Sequence, residues 1–189
     1  YGRGAKVSLS AATKLKQKFI RIGKHFKINI APVLTKGDQP VGNGIGPILE
    51  IRDVIKVLRR ENPPLDLEAK SLFLASQILE TMGKAKKGKG LELAKNILES
   101  RKAYKKFEEI ISAQGKKNED LGFAKHSYDI KSNKSGKITY IDNKKINHLA
   151  RILGCPTDKA AGIYLYKHKN EPVSKNKVIL LLYAESRKK

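Results

Sequence analysis

The 189-residue chain carries 40 Lys and Arg against 18 Asp and Glu, which gives a net charge of +22 at neutral pH. Its single cysteine, Cys155, excludes an internal disulfide and is typical of a reducing compartment, so we expect a cytoplasmic protein. The longest apolar run, residues 178–184, has the length of a strand and falls well short of the roughly 18 residues that a membrane span needs, so no membrane partner is expected.

The positive charge makes nucleic-acid binding the first hypothesis to weigh. Most of this charge is lysine, scattered over the polar faces of predicted helices. The compact basic run at 84–89 has no interleaved aromatic residue on which a base would stack. We therefore expect a solvated lysine surface with nonspecific affinity for polyanions, and no specific nucleic-acid partner. A positive field that attracts phosphate or a nucleotide is the alternative.

The first predicted elements are a helix over 8–26 and a strand over 28–34 that bends at Pro32. Either Ser8 or Ser10 can serve as the helix N-cap. Apolar residues recur through the helix at steps of three and four, which predicts a buried stripe of Leu15, Phe19, Ile22 and Phe26. One helix and one strand cannot close a sheet. Partner strands must therefore come from elsewhere, and without them this region would expose apolar surface.

A glycine-rich turn follows, with Gly42, Gly44 and Gly46 at alternate positions ahead of a helix predicted to continue to Arg60. Glycine turns that open a helix often bind phosphate. The dinucleotide fingerprint, however, needs Gly-x-Gly-x-x-Gly and a second strand, whereas this segment reads Gly-x-Gly-x-Gly and leads into more helix. We do not expect this turn alone to bind a nucleotide. The predicted buried face of the helix consists of Ile48, Ile51, Ile55 and Leu58.

A cluster of helices is predicted after Pro63-Pro64, which ends the preceding helix. Asp66 is the expected N-cap of a helix that stops near Gly83, and two shorter helices follow over about 90–99 and 101–112. The predicted buried stripe of the first of these helices is Leu67, Leu74, Ile78, Leu79 and Met82.

Residues 113–120 lack apolar periodicity and are predicted to be a linker. Asp142 is the expected cap of a helix over 143–153, around which four strands are predicted at 126–130, 137–141, 162–168 and 177–184. The predicted fold class is α+β. A partial α/β element and a helical cluster occupy residues 1–117, and a small α+β C-terminal domain occupies residues 118–189. We expect the second unit to close on itself and to fold independently.

Few residues have the spacing of a known metal-binding, phosphate-binding or catalytic motif. The four histidines are His25, His126, His148 and His168. They are not spaced as zinc ligands are and have no cysteine pair nearby, so no zinc site is predicted. Residues 83–90 resemble a P-loop, but Gly90 replaces the hydroxyl residue that binds magnesium, which favours a helix–helix connection. Lys159 lies in a lipoyl-like Asp-Lys-Ala triplet that follows a helix instead of a hairpin, and Cys155 has no activating neighbour. No catalytic residue and no cofactor is predicted.

The glycine turn carries a family resemblance. Gln39-Pro40, Gly42, Gly46 and the run 49–54, Leu-Glu-x-x-Asp-Val, resemble the Ser-Gln-Pro-Leu/Ile-Gly…Gly-x-Ala-Leu-Glu-x-x-Glu/Asp-Val segment of the thymidine and pyrimidine-nucleoside phosphorylases. Within that family the archaeal AMP phosphorylase branch looks most similar. The resemblance continues through 136–138 and 149–154 into the C-terminal domain of these enzymes, and it covers only their later part. Because the chain also begins with Tyr1, we expect a fragment or a processed chain.

The resemblance implies phosphorolysis of an N-glycosidic bond, which releases a free base and a pentose phosphate. In that family the groups that hold phosphate, base and sugar precede the matching region. This chain alone is therefore expected to be inactive, and no catalytic or substrate-binding residue is assigned. The implied partners are phosphate and a nucleoside or nucleotide in the parent enzyme, with a second copy or a separate N-terminal half. The competing hypothesis is a non-catalytic basic module for binding or assembly.

One functional feature of the family falls inside the matching region. In the bacterial pyrimidine enzymes, backbone carbonyls just after the Gln-Pro and an acid in the next helix help to hold a monovalent cation. The matching positions are Val41, Gly44 and Asp53, which are weak candidates because the other ligands precede this region. The interpretation favoured for Asp53 is a carboxylate on the helix surface, with the cation ligand as the alternative.

Overall fold

The computed structural model describes residues 1–2, 4–115 and 122–186 and shows helices combined with antiparallel sheets, which confirms the predicted α+β class. The helices in these ranges are α1 (Leu9–Phe26), α2 (Pro47–Arg59), α3 (Leu65–Thr81), α4 (Gly90–Glu99), α5 (Lys102–Ala113) and α6 (Asn143–Leu153). The strands are β1 (Gly44–Ile45), β2 (His126–Lys131), β3 (Gly136–Lys137), β4 (Gly162–Leu165), β5 (Pro172–Val173) and β6 (Val178–Ala184). None of the described helices has the length and apolar character of a membrane span.

The first helix is confirmed, and the strand predicted after it is wrong. Ser8 caps α1 by accepting a hydrogen bond from the Ala11 N–H at 3.2 Å, and Lys27 ends the helix in a left-handed conformation. Residues 28–34 run without strand pairing to any described part of the chain. A strand is defined by its ladder partner, and Pro32 in addition offers no N–H for such a ladder.

The apolar stripe of α1 is exposed in the described chain. Its four members, which the periodicity predicts to be buried, have exposed fractions of 46–65%: Leu15, Phe19, Ile22 and Phe26. The buried residues of α1 are Ala12 and Gly23, and Gly23 lies against the backbone of Ile28 and the side chain of Ile30. The helix therefore packs closely against its own following segment and presents most of its apolar face outward.

The predicted helical cluster is confirmed, and it packs around a core made by α2 to α4: Val57, Leu72, Ala94 and Leu98. The buried face of α3 is rotated from the prediction, because Leu72 and Ser76 are buried while Ile78 and Met82 are 63% and 68% exposed. The reason is the close crossing of α4, where a Cβ at Gly90 would collide with the Ser76 carbonyl. As expected, residues 83–90 connect two helices.

The C-terminal sheet differs from the predicted self-contained unit. Its strand order is β1-β4-β6-β2, all antiparallel, and the edge strand β1 comes from the glycine turn, with Gly44 opposite Tyr164. The predicted strand at 137–141 is reduced to β3, which pairs with β5 in a separate sheet. The C-terminal sheet thus takes one edge from the region before residue 118. The boundary itself, and most of the linker predicted at 113–120, lie outside the described residues, so the two-domain division stays a prediction.

The sheet packs on α6 over the main apolar core of this part of the chain: Ala150, Leu153, Ile163, Leu165 and Ala184. The predicted cap of α6 is confirmed, since the Asp142 carboxylate accepts hydrogen bonds from the Lys144 and Lys145 N–H groups. Gly154 ends the helix with φ 122°. This packing fixes β4 in place, and β4 in turn holds the glycine turn through β1.

Candidate functional site

The glycine turn makes a tight approach between the two parts of the chain. Gly42 and Gly46 have φ values of +80° and +128°, a region that residues with a Cβ rarely adopt. Between them β1 pairs with β4, and immediately afterwards α2 begins at Pro47. The Ile48 N–H, unpaired within the first turn of the helix, donates to the Lys159 carbonyl at 3.1 Å.

Asp53 is the centre of this site. Its side chain is 2% exposed, and one oxygen, Oδ2, accepts hydrogen bonds from the Asn43 and Gly44 N–H groups, each at 2.7 Å. The interpretation of Asp53 as a helix-surface carboxylate is therefore wrong. The buried face of α2 runs through Leu49, Asp53 and Val57, one turn apart each time, and the predicted face through Ile48 and Ile51 is only partly buried.

A second carboxylate holds the start of the turn. The Gly42 N–H donates to both oxygens of Asp66, at 3.2 and 3.3 Å. Asp66 is the second residue of α3, and Pro64 occupies the cap position, so the N-cap role expected of Asp66 is wrong. Three consecutive backbone N–H groups of the turn, residues 42–44, therefore point at carboxylates from α2 and α3. Such a cradle of N–H groups resembles the anion-binding nests of proteins, here filled by the chain's own side chains.

The positions expected to hold a cation lie close together. Val41, Gly44 and Asp53 line a cleft of about 340 Å³, together with Asn143 and Asn147 from α6. The second oxygen of Asp53, Oδ1, is buried and accepts no hydrogen bond, and the nearest cationic group is the Lys56 Nζ at 3.8 Å. Carboxylate oxygens are the ligands that hard cations take, and this oxygen already has the Lys56 ammonium as its ion-pair partner. The absence of a hydrogen bond at Oδ1 is thus the one observation that favours a cation in this cleft.

The other candidates do not form a site among the described residues. These ranges contain no group of three or more His, Cys, Asp or Glu side chains placed to bind a metal ion. Lys159 is exposed in the connection between α6 and β4, away from any hairpin tip. His168, which had no predicted role, contacts the glycine turn through Asn43. The spacing of four places Asp53 on the same face of α2 as Leu49 and Val57, but a helical period alone does not show which face is buried.

Cys155 is half-buried just after α6, and its thiol donates to the Ala161 carbonyl at 2.8 Å. Burial raises the pKa of the Cys155 thiol, and the carboxylates of Glu50 and Asp158 raise this pKa further. A raised pKa leaves less thiolate at a given pH, so alkylation by iodoacetamide at pH 8 should be several-fold slower than for a free cysteine. The urea-unfolded chain is the control and should react at the ordinary rate. Equal rates in the folded and unfolded chain would contradict this expectation.

Comparison with known sequences shows which proteins this chain is similar to. Residues 137–189 match the family described as the pyrimidine nucleoside phosphorylase C-terminal domain. The chain is 41% identical over 187 residues to a putative thymidine phosphorylase of Legionella pneumophila (strain Corby), and 40% identical over 190 residues to an AMP phosphorylase of Methanococcus aeolicus. An AMP phosphorylase of Pyrococcus abyssi is 39% identical over 190 residues.

These alignments cover 98% of the chain and 36–38% of the length of the relatives. The resemblance noted in the sequence is confirmed, and the chain is homologous to part of the thymidine and AMP phosphorylases. The bacterial and archaeal relatives have almost the same identity, 41% and 40%, so a closer kinship with the archaeal branch stays a prediction.

Proposed function

We propose that this chain is the C-terminal portion of an AMP or nucleoside phosphorylase. The observation that carries the proposal is the alignment of 98% of the chain with slightly more than a third of such enzymes. The reaction is attack of a phosphate oxygen on the anomeric carbon of the sugar, which breaks the N-glycosidic bond. The products are a free base and a pentose phosphate, and the leaving base must gain a proton or a hydrogen bond as the bond breaks.

The role proposed for this chain is to shape the enzyme and not to carry out the bond cleavage. The residues that hold phosphate, base and sugar belong to the part of the family that this chain does not span. The turn at 42–46 and the buried carboxylate of Asp53 supply a rigid edge to the substrate-binding part. A monovalent cation would be held by Asp53 and by the backbone at Val41 and Gly44, where it would supply a fixed positive charge to that edge.

We propose that the exposed face of α1 packs against the remaining part of the enzyme. Four large apolar side chains on this face are about half exposed, and the unpaired segment 28–34 lies directly after it. Such a surface on a highly charged chain is typical of an interface that another segment covers. The relatives are long enough to supply that segment, since about three-fifths of their length lies outside the alignment. A second copy of the chain is the other candidate for this face.

The test uses the 189-residue chain and a chimera in which it replaces the matching region of the Pyrococcus relative. The isolated chain should release no base from AMP or thymidine in the presence of phosphate. The chimera should release base from one of the two substrates, and only when phosphate is present. Activity of the isolated chain would contradict the assignment of the catalytic groups to the rest of the enzyme.

The chimera has its own controls. Circular dichroism and size-exclusion chromatography show whether it is folded, and the unaltered relative gives the reference rate. A folded chimera without phosphorolysis of either substrate would contradict the proposed function and favour the basic binding or assembly module.

A further inference from the structure

Each polar group of Asn43 makes a hydrogen bond with another described residue. Its N–H donates to Asp53 at 2.7 Å, and its carbonyl accepts a hydrogen bond from the Leu165 N–H at 2.7 Å. Its side-chain Nδ2 donates to the Tyr164 hydroxyl at 3.2 Å, and its Oδ1 lies 2.9 Å from the His168 Nε2. One residue of the turn is thus bound by α2 on one side and by the end of the C-terminal sheet on the other.

The direction of these bonds assigns the protonation of the imidazole. Because the Asn43 amide donates to Tyr164, its Oδ1 is an acceptor, and His168 must carry its proton on Nε2. The other nitrogen, Nδ1, is buried and makes no hydrogen bond. His168 therefore has a single polar contact through its ring, and that contact is with the glycine turn.

The backbone around His168 is fixed by two further bonds. Its own N–H donates to the Glu171 carboxylate at 3.1 Å, and the Lys169 N–H donates to the Gln39 Oε1 at 2.7 Å. Gln39 lies three residues before the glycine turn. The segment 168–169 therefore contacts the turn at Asn43 and the chain just before it at Gln39.

We propose that His168 is a positioning residue for the glycine turn. By holding the Asn43 side chain it keeps the N–H groups of Asn43 and Gly44 directed at the same oxygen of Asp53. Asp53 also lines the cleft that Val41 and Gly44 line, and its other oxygen accepts no hydrogen bond. The purpose of this arrangement rests on the proposed function, because it is the cation-binding edge of a phosphorylase that needs a fixed turn. The contact itself requires no activity.

Amide hydrogen exchange in the 189-residue chain, followed by NMR, tests this assignment. In His168→Ala the Asn43 and Gly44 amides should exchange about tenfold faster than in the unaltered chain, since one hydrogen bond that holds the turn closed is lost. Amides in the α3–α4 pair should keep their rates, which separates a local effect from general destabilisation. Asn43→Ala should produce the same change at Gly44, and the double variant should add little to either single change.

Two conservative variants distinguish a specific hydrogen bond from packing. His168→Gln places an N–H near the position of Nε2 and should restore slow exchange, whereas His168→Asn places its N–H near Nδ1 and should not. His148→Ala, at an exposed histidine of α6, is the matched control and should leave both amides unchanged.

Unchanged exchange at Asn43 and Gly44 in His168→Ala, or equal rates in the Gln and Asn variants, would overturn the positioning role. Because none of these measurements uses phosphate or a nucleoside, their outcome is independent of the chimera. If the chimera is inactive while amide exchange in the turn changes in His168→Ala, the proposed function is contradicted and the positioning role of His168 is not.

Discussion

Asp53→Ala should lower the free energy of unfolding by about 3 kcal/mol. The substitution leaves the Asn43 and Gly44 N–H groups without their acceptor in a buried place, and each unsatisfied donor costs about 1–3 kcal/mol. The two donors together cost about 2–6 kcal/mol, and removal of a buried carboxylate with one oxygen that accepts no hydrogen bond offsets part of that cost, so the net loss lies in the lower half of this range. Urea unfolding followed by circular dichroism measures the change.

Two variants check the cause of that loss. Asp53→Asn keeps an oxygen acceptor in the same place and should cost only about 1 kcal/mol, the value of weakening a charge-assisted hydrogen bond. Glu92→Ala removes an acid from an exposed pair with Lys89 on α4 and should change stability by no more than about 0.5 kcal/mol. If Asp53→Ala proved as mild as Glu92→Ala, the turn would not depend on its buried carboxylate.

Gly46→Ala should destabilise the chain by at least about 3 kcal/mol. A Cβ at this position would lie 2.5 Å from the Ala161 carbonyl oxygen and 3.0 Å from the Cys155 Sγ. The carbonyl oxygen belongs to the backbone, so it cannot rotate away from the Cβ as a side chain could. The φ of +128° adds strain for any residue other than glycine, on the order of 1–3 kcal/mol. The collision lies where the turn meets the segment that leads into β4, so the C-terminal sheet should loosen as well.

The matched control for this variant is Gly136→Ala in β3. Gly136 has no positive φ, and a Cβ there would meet nothing within 4 Å. Its substitution should therefore change stability by less than about 0.5 kcal/mol. Thermal unfolding of both variants gives the comparison, and similar melting temperatures would show that the turn relaxes around the added methyl group.

Structural features that depend on neighbours along the chain, such as helix ends and caps, were predicted well. The helix at 8–26 has its Ser8 cap and its period of 3.6, and the helix at 143–153 has Asp142 before it and Gly154 after it. These signals act over a few residues along the chain. The resemblance to the phosphorylases likewise follows from a short segment, and comparison with known proteins confirms it.

Strand pairing, side-chain burial and contacts that depend on residues far away in the sequence were predicted poorly. The strand at 28–34 has a suitable composition and finds no partner in the described chain, whereas Gly44–Ile45 carries no strand signal and becomes the edge of the main sheet. Asp53 is an ordinary polar position of a helix until the turn folds back over it. The contact between Asn43 and His168 joins residues 125 positions apart, and no local pattern predicts it.

The sequence by itself determined the helices, the caps of α1 and α6, the α+β class and the similarity to the phosphorylases, because each of these depends on local periodicity, capping chemistry or a contiguous motif. Only the tertiary structure decided that the acid of α2 is buried, that the turn completes the C-terminal sheet and that His168 contacts Asn43. The physical reason is that a buried polar group must find a partner, and which partner it finds is set by packing between segments far apart in the chain.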